Sequence, residues 1–332
     1  MAEIAPLVVQ KIVELDGVKL IVLVLRMSVV AFRKEPASPL AKLVCNGCHL
    51  VRILSSDLRN RKEIATNGGC VALLAAIKHY MQSCSREDGS AKPSSSSLYD
   101  KQHEDERAVI EQAARAVGNL CSKTLLDSED HGQIRYMMGT QIGGVQVLLQ
   151  VIRDVASHPY TGDILSPVQP RLASVAKRVL IALGNLCHEC LDNSETAGNI
   201  NGCEILLALL RAMQHDQCIV ELVCAVLNNL TQTTTNRERV GSAGGCEQLL
   251  ELLKVYIECP KIIEYSCMVI FNLSSIPSNK LKLLALQVDK RIEQVLAVNS
   301  SQGKLVHEAR DVLSKIGAGE LGCRGKEVCV VS

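Results

Sequence analysis

The chain has 332 residues, 47% of them hydrophobic, with only 2% aromatic, no Trp and two Phe. A core filled by Leu, Ala, Val, Ile and Cys rather than aromatic and β-branched residues favours packed helices over sheets. Thirty-six basic residues against 35 acidic give a net charge of +1 and no long basic run, which excludes an electrostatic footprint for duplex nucleic acid. Fifteen cysteines, most of them inside apolar helical patterns, fit reduced thiols acting as small hydrophobes rather than a disulfide scaffold.

From the start of the chain, Met1 to Pro6 carries an acid and no basic stretch, so a secretory signal is not expected. The apolar run Val18 to Phe32 is broken by Lys19 and Arg26 and is too short to cross a bilayer. Two landmarks then alternate. One is a Gly-Gly or Asn-Gly pair opening an apolar helix: Gly68-Gly69, Gly143-Gly144, Asn201-Gly202 and Gly244-Gly245. The other is an apolar helix ending in Asn-Leu: Asn119-Leu120, Asn185-Leu186, Asn229-Leu230 and Asn272-Leu273. Asn185 to Asn229 is 44 residues, and Asn229 to Asn272 and Gly202 to Gly245 are each 43. These periods fall in the range of about 40–47 residues for two- and three-helix solenoid units.

Each unit reads as a short polar helix, a glycine break, a second helix rich in Leu-Leu, and a longest third helix such as Ile262 to Ser274. About six units fit, the first (Asp16 to Ser55) and last (Ser278 to Ile316) being degenerate, as terminal repeats are. Two inserts separate second from third helices, at about 82–107, with Ser94 to Ser97 and many charges, and at about 153–171, with Pro159, Pro167 and Pro170; both are expected to be loops. The solenoid should span 1–316 and a Gly-rich flexible tail 317–332.

The Gly pair, the Leu-Leu second helix and a third helix such as Ala113-Ala114-Arg115-Ala116-Val117-Gly118-Asn119-Leu120 resemble the armadillo-repeat family over most of the chain. The resemblance implies an all-α fold, a right-handed α-α superhelix. Its third helices line a concave groove, where a recurrent Asn hydrogen-bonds the backbone of an extended protein ligand. The matching positions are Asn119, Asn185, Asn229 and Asn272, whose amides each offer a donor and an acceptor. An Asn at a helix end equally suits capping of the protein's own backbone. Residues four and eight earlier share that face: Arg115 and Glu111, Ile181 and Lys177, Ala225 and Glu221, Met268 and Glu264. With three Glu at its edge, such a groove suits apolar and basic ligand side chains. Nuclear-import adaptors of the family place a Trp beside the groove Asn, and the absence of Trp removes classical nuclear-localisation cargo.

The last four residues, Cys329-Val330-Val331-Ser332, match a C-a-a-X box whose terminal Ser points to farnesyl on Cys329. One prenyl chain anchors only reversibly, and Cys323 is the position for a second, palmitoyl, anchor. Cys45-Asn46-Gly47-Cys48-His49 fits a haem-attachment string, but it lies in a helix without an export signal. Cys187-His188-Glu189-Cys190 lacks the second pair that a closed zinc site needs. No phosphate-binding glycine loop, nucleophile elbow or H-E-x-x-H motif occurs. No cofactor, metal or enzymatic activity is expected. The chain is expected to be a cytoplasmic, non-catalytic adaptor, peripheral on a membrane and binding extended segments of other proteins. Regulation of a small GTPase, by nucleotide exchange or as a chaperone, and a structural role in cilia or cytoskeleton are the alternatives.

Overall fold

The computed structural model describes residues 10–34, 38–83, 104–123, 129–157 and 168–324. Among the described residues there is no strand. The helices are α1 (Gly17–Lys34), α2 (Ser38–Leu54), α3 (Leu58–Thr66), α4 (Gly69–Ser83), α5 (Glu104–Cys121), α6 (Glu129–Tyr136), α7 (Gly144–Ala156), α8 (Val168–Cys187) and α9 (Leu191–Asn199). They continue as α10 (Gly202–Ala212), α11 (Gln217–Leu230), α12 (Thr234–Ser242), α13 (Gly245–Val255), α14 (Pro260–Leu273), α15 (Pro277–Ala285), α16 (Val288–Val298) and α17 (Gly303–Arg324). The short–medium–long order recurs five times after a first repeat in which α1 and α2 are the long helices, so the fold is an all-α armadillo-type solenoid. The chain divides into two compact units, residues 1–196 and 197–332.

The glycine pairs work for two separate reasons. Gly244 has φ +84°, the left-handed conformation that reverses the chain between the short and second helices. Asn201 (φ +64°) and Gln287 (φ +57°) accept that strain in their own repeats. Gly245 is needed for space, since a Cβ there would lie 2.7 Å from the Val240 carbonyl oxygen and against the Val240 side chain.

A second set of asparagines, on the short helices, sets how closely repeats stack. Asn60, Asn193, Asn236 and Asn279 are all buried. Asn60 Nδ2 donates to the Leu54 carbonyl at 3.1 Å, Asn193 Nδ2 to Leu186 at 2.7 Å and Arg135 at 2.9 Å, Asn236 Nδ2 to Leu230 at 3.0 Å, and Asn279 Nδ2 to Arg237 at 2.8 Å. The amides of Asn193, Asn236 and Asn279 press on Gly139, Gly198 and Gly241 of the preceding short helix, where no Cβ fits. Just beyond, Arg239 donates to the Gly198 carbonyl and Lys282 to the Gly241 carbonyl, the latter at 2.8 Å. In the third repeat the short helix is longer, and α6 runs on into one π turn, Met137–Gln141. That turn absorbs the extra length. It also brings Thr140 Oγ1 to donate to Asn193 Oδ1 at 2.8 Å while Gly139 receives the amide.

The core is aliphatic and thiol-rich, with Tyr80 its largest fully buried side chain. Small residues let third helices approach: Gly118 on α5 would place a Cβ 3.7 Å from Ile181 Cγ2 and 3.8 Å from Ala182 Cα of α8. The terminal repeats differ. On α1, Val18, Val22, Leu25 and Val29 are buried, yet Leu20, Met27 and Val30 on the opposite side are 61%, 64% and 57% exposed. α16 instead turns Asp289, Lys290 and Glu293 outward.

Helix boundaries depart from the sequence reading in three places. Helix covers Gln82 and Ser83 and resumes at Glu104, so of the expected 82–107 loop only 84–103 remains, outside the described residues. The 153–171 insert likewise shrinks to 158–167, because α7 runs to Ala156 and α8 begins at Val168 with Pro170 in its first turn, where its missing N–H costs nothing. α17 carries helix through Gly317 to Arg324, into the segment expected to be flexible.

Replacing Gly241 by Ala should destabilise the protein by about 1–3 kcal/mol, because the new methyl must displace the buried Asn279 amide. Gly132→Ala, in a helix with nothing within 4 Å, should be neutral or stabilising by up to about 1 kcal/mol. Urea unfolding of the two variants checks the pair of signs.

Candidate functional site

The third helices bury one side and leave a stripe of half-buried side chains on the other. In residues 1–196, α2 packs beside α5 and α5 beside α8. On α5 the stripe is Glu111, Gln112, Arg115 and Asn119; on α8 it is Ser174, Lys177, Arg178 and Asn185, with exposed Ile181 between them. The three- and four-residue steps are those of one helix face. Asn119, Arg115, Asn185 and Lys177 of the sequence-derived set therefore share this surface. In residues 197–332, Glu221 and Asn229 stand on the half-buried stripe of α11, and Asn272 on that of α14.

The asparagine amides are already used as ties between repeats. Asn119 Nδ2 donates to the Arg52 carbonyl at 3.0 Å, and Asn185 Nδ2 to the Gly118 carbonyl at 2.8 Å. Asn272 Nδ2 donates to Thr231 Oγ1 at 3.1 Å and to Asn228 Oδ1 at 3.3 Å. Each bond joins a third helix to the C-terminal end of the one before it; for Asn119 and Asn185 the acceptors are last-turn carbonyls, which lack intrahelical partners. The donor half of these amides thus serves the stack, and the Oδ1 of Asn119 and of Asn185 remains as an acceptor on the stripe.

Glu264 behaves differently from its place in a ligand-facing rim. It is buried, and its carboxylate is held by Lys304 of α17 and, at 3.7 Å, by Lys261. The same hydrogen bond pushes the Lys304 ammonium pKa up. Cations gather at the C-terminal ends of α11 and α14, where the helix dipole favours them. Arg237 donates through Nε to the Thr231 carbonyl at 2.7 Å and through its other nitrogens to Ser275 Oγ and the Gln232 carbonyl, both at 3.0 Å. Lys315 donates to the Phe271 carbonyl at 2.8 Å and lies 3.7 Å above the Phe271 ring. Burial pushes its pKa down, and neighbouring Arg237 and Lys280 add to that.

Sequence reasoning missed Arg52 and Arg178 as members of the stripe. Arg178 lies seven residues before Asn185, two turns down the same face, so helical spacing alone could have found it. Arg52 holds the asparagine position of its own repeat: Ser55 Oγ donates to the Arg52 carbonyl at 2.9 Å just as Ser122 Oγ donates to Asn119 at 3.0 Å. Lys315 and Lys280 gave no sequence signal. Cys329 lies outside the described residues, and of Cys323 only the α17 backbone is described.

Cys187 is core, and Glu189 beside it pairs with Lys123. Burial pushes the thiols of Cys70, Cys203, Cys224 and Cys267 up to about 12.

No protein-family model and no curated protein matches the sequence. Among solved structures, 77 chains match. An engineered protein superposes with a TM-score of 0.65 at 18% identity, over 91% of this chain and 97% of its own. A chain from a structure concerning a phosphorylation switch in the interaction between cadherin and beta-catenin, an armadillo-repeat protein, gives 0.60 at 14% identity. That match covers 93% of this chain, which spans 50% of the other. At these identities the likeness shows the fold, an armadillo-like helical repeat.

Asn185→Ala should cost about 1 kcal/mol through loss of one inter-repeat hydrogen bond. Asn185→Asp should cost more, because it sets a carboxylate against the Gly118 carbonyl; chemical denaturation ranks the two. Brief alkylation with iodoacetamide at mildly alkaline pH should label exposed Cys218 well before Cys224 or Cys267. Peptide mapping that found Cys224 labelled first would mean that the α11–α14 core opens readily.

Proposed function

We propose that the chain is a non-catalytic scaffold that binds extended segments of other proteins along its third-helix stripes, and that it works in the cytoplasm, tethered to a membrane by a lipid on Cys329. The observation that carries the first part is the stripe itself. On each third helix the half-buried positions recur at helical spacing and hold polar, charged and isolated apolar side chains, while the opposite side is filled core. Such a surface offers contacts along a line, which matches a ligand in extended conformation. An armadillo-like fold supports protein partners in general, and the cadherin interaction belongs to the neighbour alone. Glu221, Lys177 and Arg115 are the contact residues in this reading; Asn119, Asn185, Asn229 and Asn272 would contribute acceptors and hold the helices in register. Glu264 contributes less, since Lys304 already neutralises it.

The tether is supported by the residues Cys329-Val330-Val331-Ser332 read as a prenylation box, with palmitate on Cys323 as the second anchor that a single prenyl chain needs.

The two parts separate in one experiment in cells. Affinity purification should recover a partner set that the double charge reversal Lys177→Glu/Glu221→Lys loses while the variant stays folded; an unchanged set would refute the docking stripes. Intact mass should show a farnesyl adduct with loss of Val330 to Ser332, absent in Cys329→Ser. An unmodified tail would remove the tether and leave the scaffold standing.

A further inference from the structure

We infer that the third-helix face of residues 1–196 takes an acidic peptide, held by Arg52, Arg115 and Arg178; this rests on the docking face proposed above and names its ligand class. The three arginines stand on consecutive third helices, α2, α5 and α8. Arg52 occupies the asparagine position of its repeat, Arg115 lies four residues before Asn119 and Arg178 seven before Asn185, all within about 40° of one helix face. All three are half-buried, and the Nε of each is sealed from solvent without a hydrogen-bond acceptor. Their guanidinium groups make no hydrogen bond or ion pair with any described residue.

Arg61 and Arg135, buried elsewhere in the same unit, do reach acceptors, although Arg135 Nε too is sealed without one. Arg61 donates to the Ser55 and Ser122 carbonyls at 2.9 and 2.7 Å, and Arg135 to the Cys121 carbonyl at 3.4 Å. A guanidinium is planar and permanently charged, and its fork matches a carboxylate with two parallel bonds. Three forks without acceptors, one per repeat, are complementary to three anions in a row. The stripes reinforce this: among the described residues they carry Lys42, Arg52, Arg115, Arg171, Lys177 and Arg178 against Asp105 and Glu111, with Glu104 at the helix start. The sequence-derived expectation of a groove suited to basic side chains is reversed for this face.

Geometry also sets the ligand's spacing. Packed helices lie about 8–10 Å apart, and a step of three or four residues down a helix adds about 5–6 Å. Successive arginines are therefore roughly 10–11 Å apart along a diagonal. A chain in polyproline-II extension returns to the same side every third residue, about 9 Å on. An acidic residue at every third position fits.

The test uses the full chain and fluorescence anisotropy with a labelled four-fold repeat of Glu-Pro-Ala as probe, beside the Gln, Lys and phosphoserine versions. The Glu peptide should bind, and the Gln version should be weaker by about ten-fold or more. Arg115→Ala and Arg178→Ala should each weaken it by about ten-fold, whereas Arg153→Ala, on the exposed side of α7, should not. Because the arginines have no partner in the fold, both substitutions should leave the unfolding midpoint unchanged or raised; a structural arginine would lower it. Tighter binding of the phosphoserine version supports the inference and identifies a phosphorylated segment as the source of the anion. Equal or tighter binding of the Lys version, no response to Arg115 and Arg178, or displacement by equimolar oligothymidylate overturns it. Loss of the partner set in the Lys177/Glu221 reversal would still leave the docking stripes in place, so the two failures are distinguishable.

Discussion

Everything in this fold depends on satisfying the carbonyls at the ends of short helices that are buried against the next repeat. A helix of nine residues leaves its last four carbonyls without intrahelical partners, close to half its length. In residues 197–332 each layer of helices answers this with a side chain from the following repeat. In the short-helix layer Lys282 reaches the end carbonyl of Gly241, and Asn279 adds a bond to the Arg237 carbonyl within the same helix as Gly241. In the second-helix layer Asn299 reaches Ile257 at 2.9 Å, and Tyr256 reaches Gln214 at 2.6 Å. In the third-helix layer Lys315 reaches Phe271. These bonds are directional, so they fix the register between repeats that aliphatic packing alone would leave loose. The glycines at 198 and 241 follow from them, because a buried amide can reach the neighbouring backbone only where no Cβ intervenes.

The use of amides as internal ties changes what the third helices offer outward. An asparagine whose Nδ2 is committed to Arg52 or Gly118 presents an acceptor and little else. In the proposed docking, recognition falls to the charged positions one and two turns earlier. These positions differ between the two units. In residues 197–332, Glu264 is buried and neutralised by Lys304 and Lys261. Among the described residues of 1–196 the cations of the stripe outnumber the acids, and three of them lack an acceptor at Nε. One repeat architecture thus carries two electrostatic surfaces, and the difference lies in which charges find partners in the adjacent repeat.

The helix order was legible in the sequence because its signals are local: a glycine pair, an Asn-Leu helix end and a 43-residue period. The ties were only half legible. Asn193, Asn236 and Asn279 recur at 43 residues, as plainly as the landmarks do. They sit, however, in polar short helices whose burial cannot be inferred from polarity. Glu104 to Arg107 reads as charged loop, yet acids in a first turn stabilise a helix N-terminus, and α5 begins there. The glycines at 317, 319 and 322 suggested a loose tail, but α17 continues through them. The pairing of Glu264 with Lys304 spans 40 residues and depends on stacking, so no local pattern announces it.

Other buried polar atoms also lack acceptors or donors, Arg135 Nε and Gln112 Oε1 among them, but Arg52, Arg115 and Arg178 stand on one face of consecutive third helices and their guanidinium groups have no partner among the described residues. Leaving an N–H buried without an acceptor costs on the order of 1–3 kcal/mol, against a total stability of only about 5–15 kcal/mol. Three such positions on adjacent helices would amount to a considerable share of that total if nothing completed them. Conversion of any of the three to an apolar residue would relieve the cost without disturbing a single hydrogen bond of the stack. Positions where local physics would be improved by a simple substitution are those where a requirement outside the folded chain has to be sought. On the third-helix face of residues 1–196 that requirement is an anion at each guanidinium.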